Sequence, residues 1–221
     1  MRVLTWNLFH GRAVPDRPGS LFGEFSTLLA RWEWDVALLQ EVPPWWPADL
    51  GRACGASVRS ARTSRNFLLP LRRLIAERNP ALLGSWGGGA NAILVRHEAI
   101  TEHRVRTLRL LPERRVVHGV RLASGVWVTN LHAQAHVEAH ARADLERAAA
   151  ATLSWAGDAP TVLGGDFNLS GTPAPPGFRH VAGHGVDHIA VRGLEPEGKG
   201  HTLPRAGLSD HAPLWVDVVA A

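Results

Sequence analysis

Cysteine, lysine and long apolar runs are scarce in this sequence, and each shortage narrows what the chain can be. Its one cysteine, Cys54, has no partner for an internal disulfide, which suits a reducing compartment and sets the expectation of a cytoplasmic protein. No run approaches the roughly 18 apolar residues that a membrane span requires. Met1 leads into an alternating apolar segment rather than a basic-then-apolar leader, so neither a transmembrane segment nor export is expected. Lysine occurs once, at Lys199, so nearly all of the basic charge behind the net +4 is arginine. A planar guanidinium binds phosphate oxygens in pairs, and the bias favours a phosphate-containing ligand. A GC-rich genome produces the same bias, so composition does not settle the matter.

What is present reads as one domain over residues 1–221, expected to be a monomer. With 45% hydrophobic and 20% charged residues, a chain of this length buries a sizeable core. Short apolar runs alternate with longer helix-like stretches, the grammar of an α/β fold. The runs predict strands over Arg2–Leu8, Val36–Glu41, Asn91–Arg96, Val116–Leu122, Val126–Leu131, Thr161–Gly165, Val186–Val191 and Leu214–Val218. Apolar residues at Phe22, Phe25, Leu28, Leu29 and Trp32 predict one amphipathic helix, and Ala141, Leu145, Ala148 and Thr152 predict another over Val137–Trp155. Loops are expected where Pro and Gly cluster, at Val14–Gly19, Gly84–Gly89 and Gly171–Gly177.

Polar residues collect at the ends of these strands, where burial without a partner is costly. Asn7 ends Thr-Trp-Asn-Leu, Glu41 ends Leu-Leu-Gln-Glu-Val, and His132 follows Val-Thr-Asn-Leu. Asp166 and Asn168 follow Val-Leu-Gly-Gly; Asp187 and His188 lie in Gly-Val-Asp-His-Ile, and Asp210 and His211 in Leu-Ser-Asp-His-Ala-Pro. If the ends converge they form an acidic pocket. Two carboxylates about 4 Å apart repel by roughly 4 kcal/mol at an effective dielectric near 20, so the pocket asks for a cation. Oxygen donors select a hard ion, Mg2+ or Mn2+, over zinc.

Taken in order, Thr-Trp-Asn-Leu, Leu-Leu-Gln-Glu-Val, Asn-Ala-Ile-Leu-Val, Thr-Asn-Leu-His, Gly-Gly-Asp-Phe-Asn, Val-Asp-His-Ile and Ser-Asp-His-Ala-Pro resemble the motifs of the endonuclease/exonuclease/phosphatase superfamily, which includes deoxyribonuclease I and exonuclease III. The resemblance runs from Asn7 to His211. It implies a four-layer α/β sandwich, two mixed β-sheets packed face to face with helices outside. It further implies that Glu41 is the main Mg2+ ligand, with Asn7 and Asp210 beside it, and that Asp166 and Asn168 position the attacking water and the phosphate. His211 would be the central histidine, oriented and charge-stabilised by Asp187. His132 would bind a phosphate oxygen or help protonate the leaving group, and Arg115, with Arg114 as an adjacent competitor, would hold the phosphate. One departure matters: where the deoxyribonuclease I pattern has a glutamate to pair with the second histidine, this chain reads Gly-Gly-Gly-Ala-Asn-Ala. His132 is then expected to be a phosphate ligand rather than a strong acid, and Asn91 a hydrogen-bonding partner of the phosphate or of a neighbouring side chain.

Three further patterns invite a function. His132, His136 and His140 would share a face if a helix began at His132, but no second cluster has zinc spacing. Arg59, Arg62, Arg65, Arg72, Arg73 and Arg78 would serve either as a nucleic-acid clamp, with Arg72 and Arg73 binding substrate, or as a solvated helix face. Trp45, Trp46 and Trp86 would stack on bases or pack in the core. The expected activity is therefore a metal-dependent phosphoesterase, foremost a nuclease with nucleic acid as substrate. A phosphatase or phosphodiesterase acting on lipid head groups or small phosphate esters is the alternative, and a silent nucleic-acid-binding module the third reading.

Overall fold

The computed structural model describes residues 1–64, 66–84 and 89–221. Strands β1 (Arg2–Asn7), β2 (Val36–Val42), β3 (Ser57–Arg62), β4 (Ala90–Val95), β11 (Leu194–Pro196) and β13 (Leu214–Ala220) form one sheet in the order β11-β13-β1-β2-β4-β3, with β12 (His201–Thr202) paired to β13. The second sheet, in the order β5-β6-β7-β8-β10-β9, consists of β5 (Ile100–Arg109), β6 (Arg115–Leu122), β7 (Trp127–His132), β8 (Thr161–Asp166), β9 (Arg179–His184) and β10 (Asp187–Arg192). β1 runs parallel to β2 and β7 parallel to β8, while the neighbours around these pairs are antiparallel, so both sheets are mixed.

Period-two alternation explains the layering. Val3, Val36, Leu38, Ile93, Val120, Val128, Val162 and Ile189 point into the dry space between the sheets. Their alternates Leu4, Trp6 and Leu39 face the other way, onto Phe25 and Leu29 of α1 (Phe22–Arg31) and Leu50 of α2 (Pro47–Cys54). On the second sheet the outward residues Val117, Leu131 and Leu163 meet Ala141, Leu145 and Ala148 of α4 (Glu138–Ala156). The four-layer sandwich is thus borne out, with helices outside two facing sheets. A fourth helix, α3 (Leu69–Arg78), follows β3 in the chain. Among the described residues, no helix is long and apolar enough to cross a membrane.

The eight expected strands are all present, and the five others, β3, β5, β9, β11 and β12, lie at sheet margins. An edge strand needs only intermittent burial, so Ser57–Arg62 and Ile100–Arg109 carry arginine and glutamate where a central strand carries valine. Helix α2 is equally quiet in the pattern. Its signals are Pro47 in the first turn and Gly55, left-handed at φ 61°, at the end.

One polar peg crosses the core. Asn130 on β7 donates to the carbonyls of Leu39 and Ala92, both at 2.9 Å, and accepts from Gln40 Nε2 at 2.8 Å. Gln40 also reaches Thr5 Oγ1 at 3.1 Å, so β1, β2 and β4 are tied to the opposite sheet by hydrogen bonds as well as by apolar contact.

Nearby, His118 on β6 is fully buried, with Nδ1 3.3 Å from His103 Nε2 and no partner for Nε2 among the described residues. Burial, with a smaller push from His103, lowers its pKa to about 3. The folded value lies below the unfolded value near 6.5, so the stability this neutral ring contributes is complete above pH 6.5 and is lost as pH falls toward 3. At pH 5 the loss amounts to about 2 kcal/mol. Urea unfolding at pH 7.5 and pH 5 should therefore show a smaller pH effect in His118→Leu, by about that amount; an equal effect in both proteins would mean that His118 titrates normally in the fold.

Candidate active site

The carboxyl ends of the two parallel pairs, β1 with β2 and β7 with β8, open into one cleft of about 590 Å³. Asn7, Glu41, Arg114, Arg115, His132, Asp166, Asn168, Asp210 and His211 line it.

Asp166 sits near the centre. It follows Gly165, whose φ of +136° and whose position, where a Cβ would stand 1.9 Å from the Leu131 carbonyl oxygen, admit only glycine. Asn7 Nδ2 donates to Asp166 Oδ2 at 3.0 Å, and the amide of Asn168 donates to Oδ1 at 2.9 Å. Asn168, left-handed at φ 50°, is pinned by its own Nδ2 on the Ala133 carbonyl at 3.0 Å, and His188 Nε2 holds the next carbonyl, that of Leu169, at 2.7 Å. Burial and the charge of Asp187, its register partner on β10, push the Asp166 carboxyl up to about 7.

Asp187 itself lies just behind the cleft wall. Its Oδ2 accepts from His211 Nδ1 at 2.7 Å, while its buried Oδ1 has no partner among the described residues. Burial works against a charged His211, but the hydrogen bond and charge of Asp187, helped by Asp166 and Asp210, prevail and raise the imidazole to about 9. Its Nε2 points toward Asp166 Oδ2 at 3.9 Å and Asp210 Oδ1 at 3.8 Å. Ser209 locks the segment, donating from Oγ to the Asn7 carbonyl at 2.7 Å and accepting from the His211 amide at 3.0 Å.

His132 is buried, with Nε2 3.5 Å from Asp166 Oδ2 and 3.9 Å from Glu41 Oε1. Burial, then the positive charge of Arg115, holds it well below the usual imidazole range, so it is neutral at physiological pH. Glu41 occupies a bulge in β2, left-handed at φ 49°, between the register positions of Leu39 and Val42. Arg115 is buried, with Nη2 on Glu113 at 2.5 Å and Nε facing Gln134 Oε1 at 3.5 Å. Arg114 is exposed at the rim, held through its backbone by Ser64, and its side chain makes no ion pair among the described residues.

Some expected residues lie elsewhere. Asn91 is wholly buried, neither of its amide atoms has a partner among the described residues, and it does not line the cleft. Arg72 is buried over the Phe67 ring at 4.0 Å, and Arg73 pairs with Glu77 at 2.7 Å; neither reaches the cleft lining. Arg65 and Trp86 fall outside the described residues. Trp46 is buried against Phe22 and Phe25, and Trp45 is half-buried on the same core, so both pack rather than stack. The shared histidine face is corrected too: α4 starts at Glu138, which leaves His132 on β7 and His136 in a turn, with only His140 helical.

Other cleft residues escaped the sequence reading, chiefly His10, Arg12 and Gln134. His10 stands three residues past Asn7, beside Gly11, and no spacing rule marks it. Gln134 is placed by Asp144 of α4, which is fully buried, accepts the Gln134 amide at 3.0 Å and pairs with Arg109 Nε at 2.7 Å.

A divalent cation fits this donor set. Asp166, Asp187 and His211 offer ligand atoms within 4.8 Å of one another, and the raised Asp166 carboxyl and orphaned Asp187 oxygen are the marks of uncompensated negative charge. His211 Nδ1 and Asp187 Oδ2 are already bonded to each other, and both Asp166 oxygens accept hydrogen bonds, so Glu41 and Asp210 are the further carboxylates that line the cleft.

Two facing mixed sheets thus carry an acid and histidine cluster at one end of the sandwich. The sequence matches the model of the Endonuclease/Exonuclease/phosphatase family over residues 4–211, and the chain belongs to that family. No curated protein matches it by sequence. Among solved structures it is similar to a functionally unknown conserved protein from Enterococcus faecalis V583, at 19% identity, full coverage of both chains and a TM-score of 0.75. It is also similar to TDP2 from C. elegans, at 16% identity over 100% of this chain and 75% of that one, TM-score 0.69. A mannosyl-6-phosphatase from Bacteroides thetaiotaomicron VPI-5482 matches at 15% identity over 99% of each chain, TM-score 0.71.

Proposed function

We propose that this protein is a magnesium-dependent nuclease that hydrolyses phosphodiester bonds by in-line attack of an activated water, acting as a cytoplasmic monomer whose one domain spans residues 1–221. The observation that carries the reading is the placement of Asp166 opposite the Asp187–His211 pair in a cleft walled by Arg114 and Arg115. Glu41, with Asn7 and Asp210, would hold Mg2+, whose charge would offset that on the non-bridging and leaving oxygens.

The chain's own groups do the rest. Asp166, steadied by Asn7 and by the Asn168 amide, is placed to take a proton from the attacking water. Asn168 fixes that water and the phosphate. His211, charged through neutral pH, faces the phosphoryl oxygens, and Asp187 keeps its ring turned and protonated. Neutral His132 offers one hydrogen bond to phosphate rather than a full charge. Arg115 binds the scissile phosphate inside the cleft, and exposed Arg114 meets a neighbouring phosphate of a longer chain.

The burial of Arg115 favours a second reading, because an enclosed guanidinium suits a terminal phosphate monoester. In that case the substrates are lipid head groups or small phosphate esters, the class to which a mannose 6-phosphate substrate belongs. Hydrolysis of plasmid DNA, single-stranded RNA, sphingomyelin and an inositol phosphate with added Mg2+ separates the two. Polynucleotide cleavage at least tenfold faster than turnover of either ester is expected; turnover of the inositol phosphate alone would replace the nuclease by a phosphatase, and of sphingomyelin alone by a lipid phosphodiesterase.

A further inference from the structure

The turn after β1 is built in a conformation that needs a reason. Phe9, His10 and Gly11 are all left-handed, at φ 48°, 55° and 77°, and two of them carry side chains that disfavour it. Gly11 is forced into place, since a Cβ there would stand 2.5 Å from the Trp46 ring, which is itself wedged against Phe22 and Phe25. The Phe9 amide is tied to Asn7 Oδ1 at 2.9 Å and the Gly11 amide to the Leu8 carbonyl at 2.8 Å. The product of this construction is the position of one ring: His10 Nε2 lies 3.1 Å from Glu41 Oε2, on the cleft wall. Glu41 reaches the same point from its own left-handed bulge. Two strained backbones from different strands therefore converge on one nitrogen and one oxygen.

Two adjacent donors on an octahedral cation, each about 2.1 Å from it, stand about 3 Å apart. The observed separation has that value. We infer that His10 is a nitrogen ligand to the cation held by Glu41, so that the site binds Mn2+ more tightly than Mg2+. Imidazole shifts a carboxylate site away from the hardest ions toward the transition series, where affinity for nitrogen rises. This inference rests on the proposed metal dependence. It adds a ligand that the residue pattern at the strand ends does not include, and it favours Mn2+ over Mg2+ more strongly than oxygen donors alone would.

The test uses metal-free protein loaded with Mn2+. Pulsed electron paramagnetic resonance on the wild type should show 14N coupling from a directly bound imidazole, changed to the 15N pattern when histidine is 15N-labelled. His132 also lies near Glu41, so the coupling should survive in His132→Ala and vanish in His10→Asn, where asparagine tolerates the left-handed backbone. Calorimetric titration should show Mn2+ affinity falling at least about tenfold in His10→Asn, with Mg2+ affinity changed less. Mn2+ bound without nitrogen coupling, or coupling that survives in His10→Asn, overturns the assignment while leaving the metal reading intact. A wild type that binds no Mn2+ and no Mg2+ overturns both.

Discussion

His211→Ala should lower kcat/KM for phosphodiester hydrolysis by about 10³–10⁴-fold while leaving the melting temperature within a few degrees of wild type. The two halves of this expectation have separate causes. On the catalytic side, the ring is the charged group nearest Asp166 from the β13 side of the cleft, and Asp187 holds it protonated to about pH 9. Removing it takes away about 4–5 kcal/mol of transition-state stabilisation, which neutral His132 does not restore. On the structural side, the imidazole makes one hydrogen bond through Nδ1, and the backbone of its segment is held independently by Ser209 and Trp6 Nε1. Asp187→Asn should fall between the two proteins, since the ring remains but loses its counter-charge. Hydrolysis by His211→Ala at wild-type rate would remove the proposed centre, whatever its substrate.

Replacing Asp144 by Ala should unfold the protein more easily by about 3–5 kcal/mol, a drop of roughly 10 °C or more in thermal midpoint. The carboxylate is fully buried, and its removal strands Arg109, whose side chain is 11% exposed, without a counter-ion. It also frees the Gln134 amide, and with it the segment that carries Gln134 and His136 along the cleft. Activity should therefore decline together with stability, which chemical denaturation and hydrolysis assays on the same preparation would show. Asp144→Asn, which keeps an acceptor for Gln134 but not the charge for Arg109, should restore activity before it restores stability.

The parts of the fold legible from sequence were those whose burial leaves a periodic trace. Central strands such as Thr161–Asp166 are wholly buried, and the apolar spacing of α1 and α4 survives in Phe25, Leu29, Leu145 and Ala148. Marginal strands escape because one solvated side permits any polar residue, as in β5 and β9. At the site, residues carried rigidly by strand ends were readable. Asn7, His132 and Asp166 meet because regular strands end on them, and Glu41 and His211 lie at or within a few residues of strands as well. His10 was not, since its place depends on a left-handed turn and on the Trp46 wedge, neither of which has a period. Arg72 and Arg73 misled for the opposite reason: charge density is visible in sequence, whereas the direction of each side chain is not.

The Asn130 peg bears on how this protein can vary. Asn7 and Glu41 come from one sheet, and His132, Asp166 and Asp187 from the other, so the cleft straddles a boundary that apolar packing alone would allow to slide. A glide of one residue along a strand is about 3.3 Å, enough to break the 3.0 Å contact between Asn7 and Asp166. Asn130, bonded to Leu39, Gln40 and Ala92 across that boundary, accepts one alignment only. Greasy substitutions within the sandwich can thus leave a folded protein whose two banks of chemistry no longer face each other, and activity will be a finer gauge of sheet alignment than any melting curve.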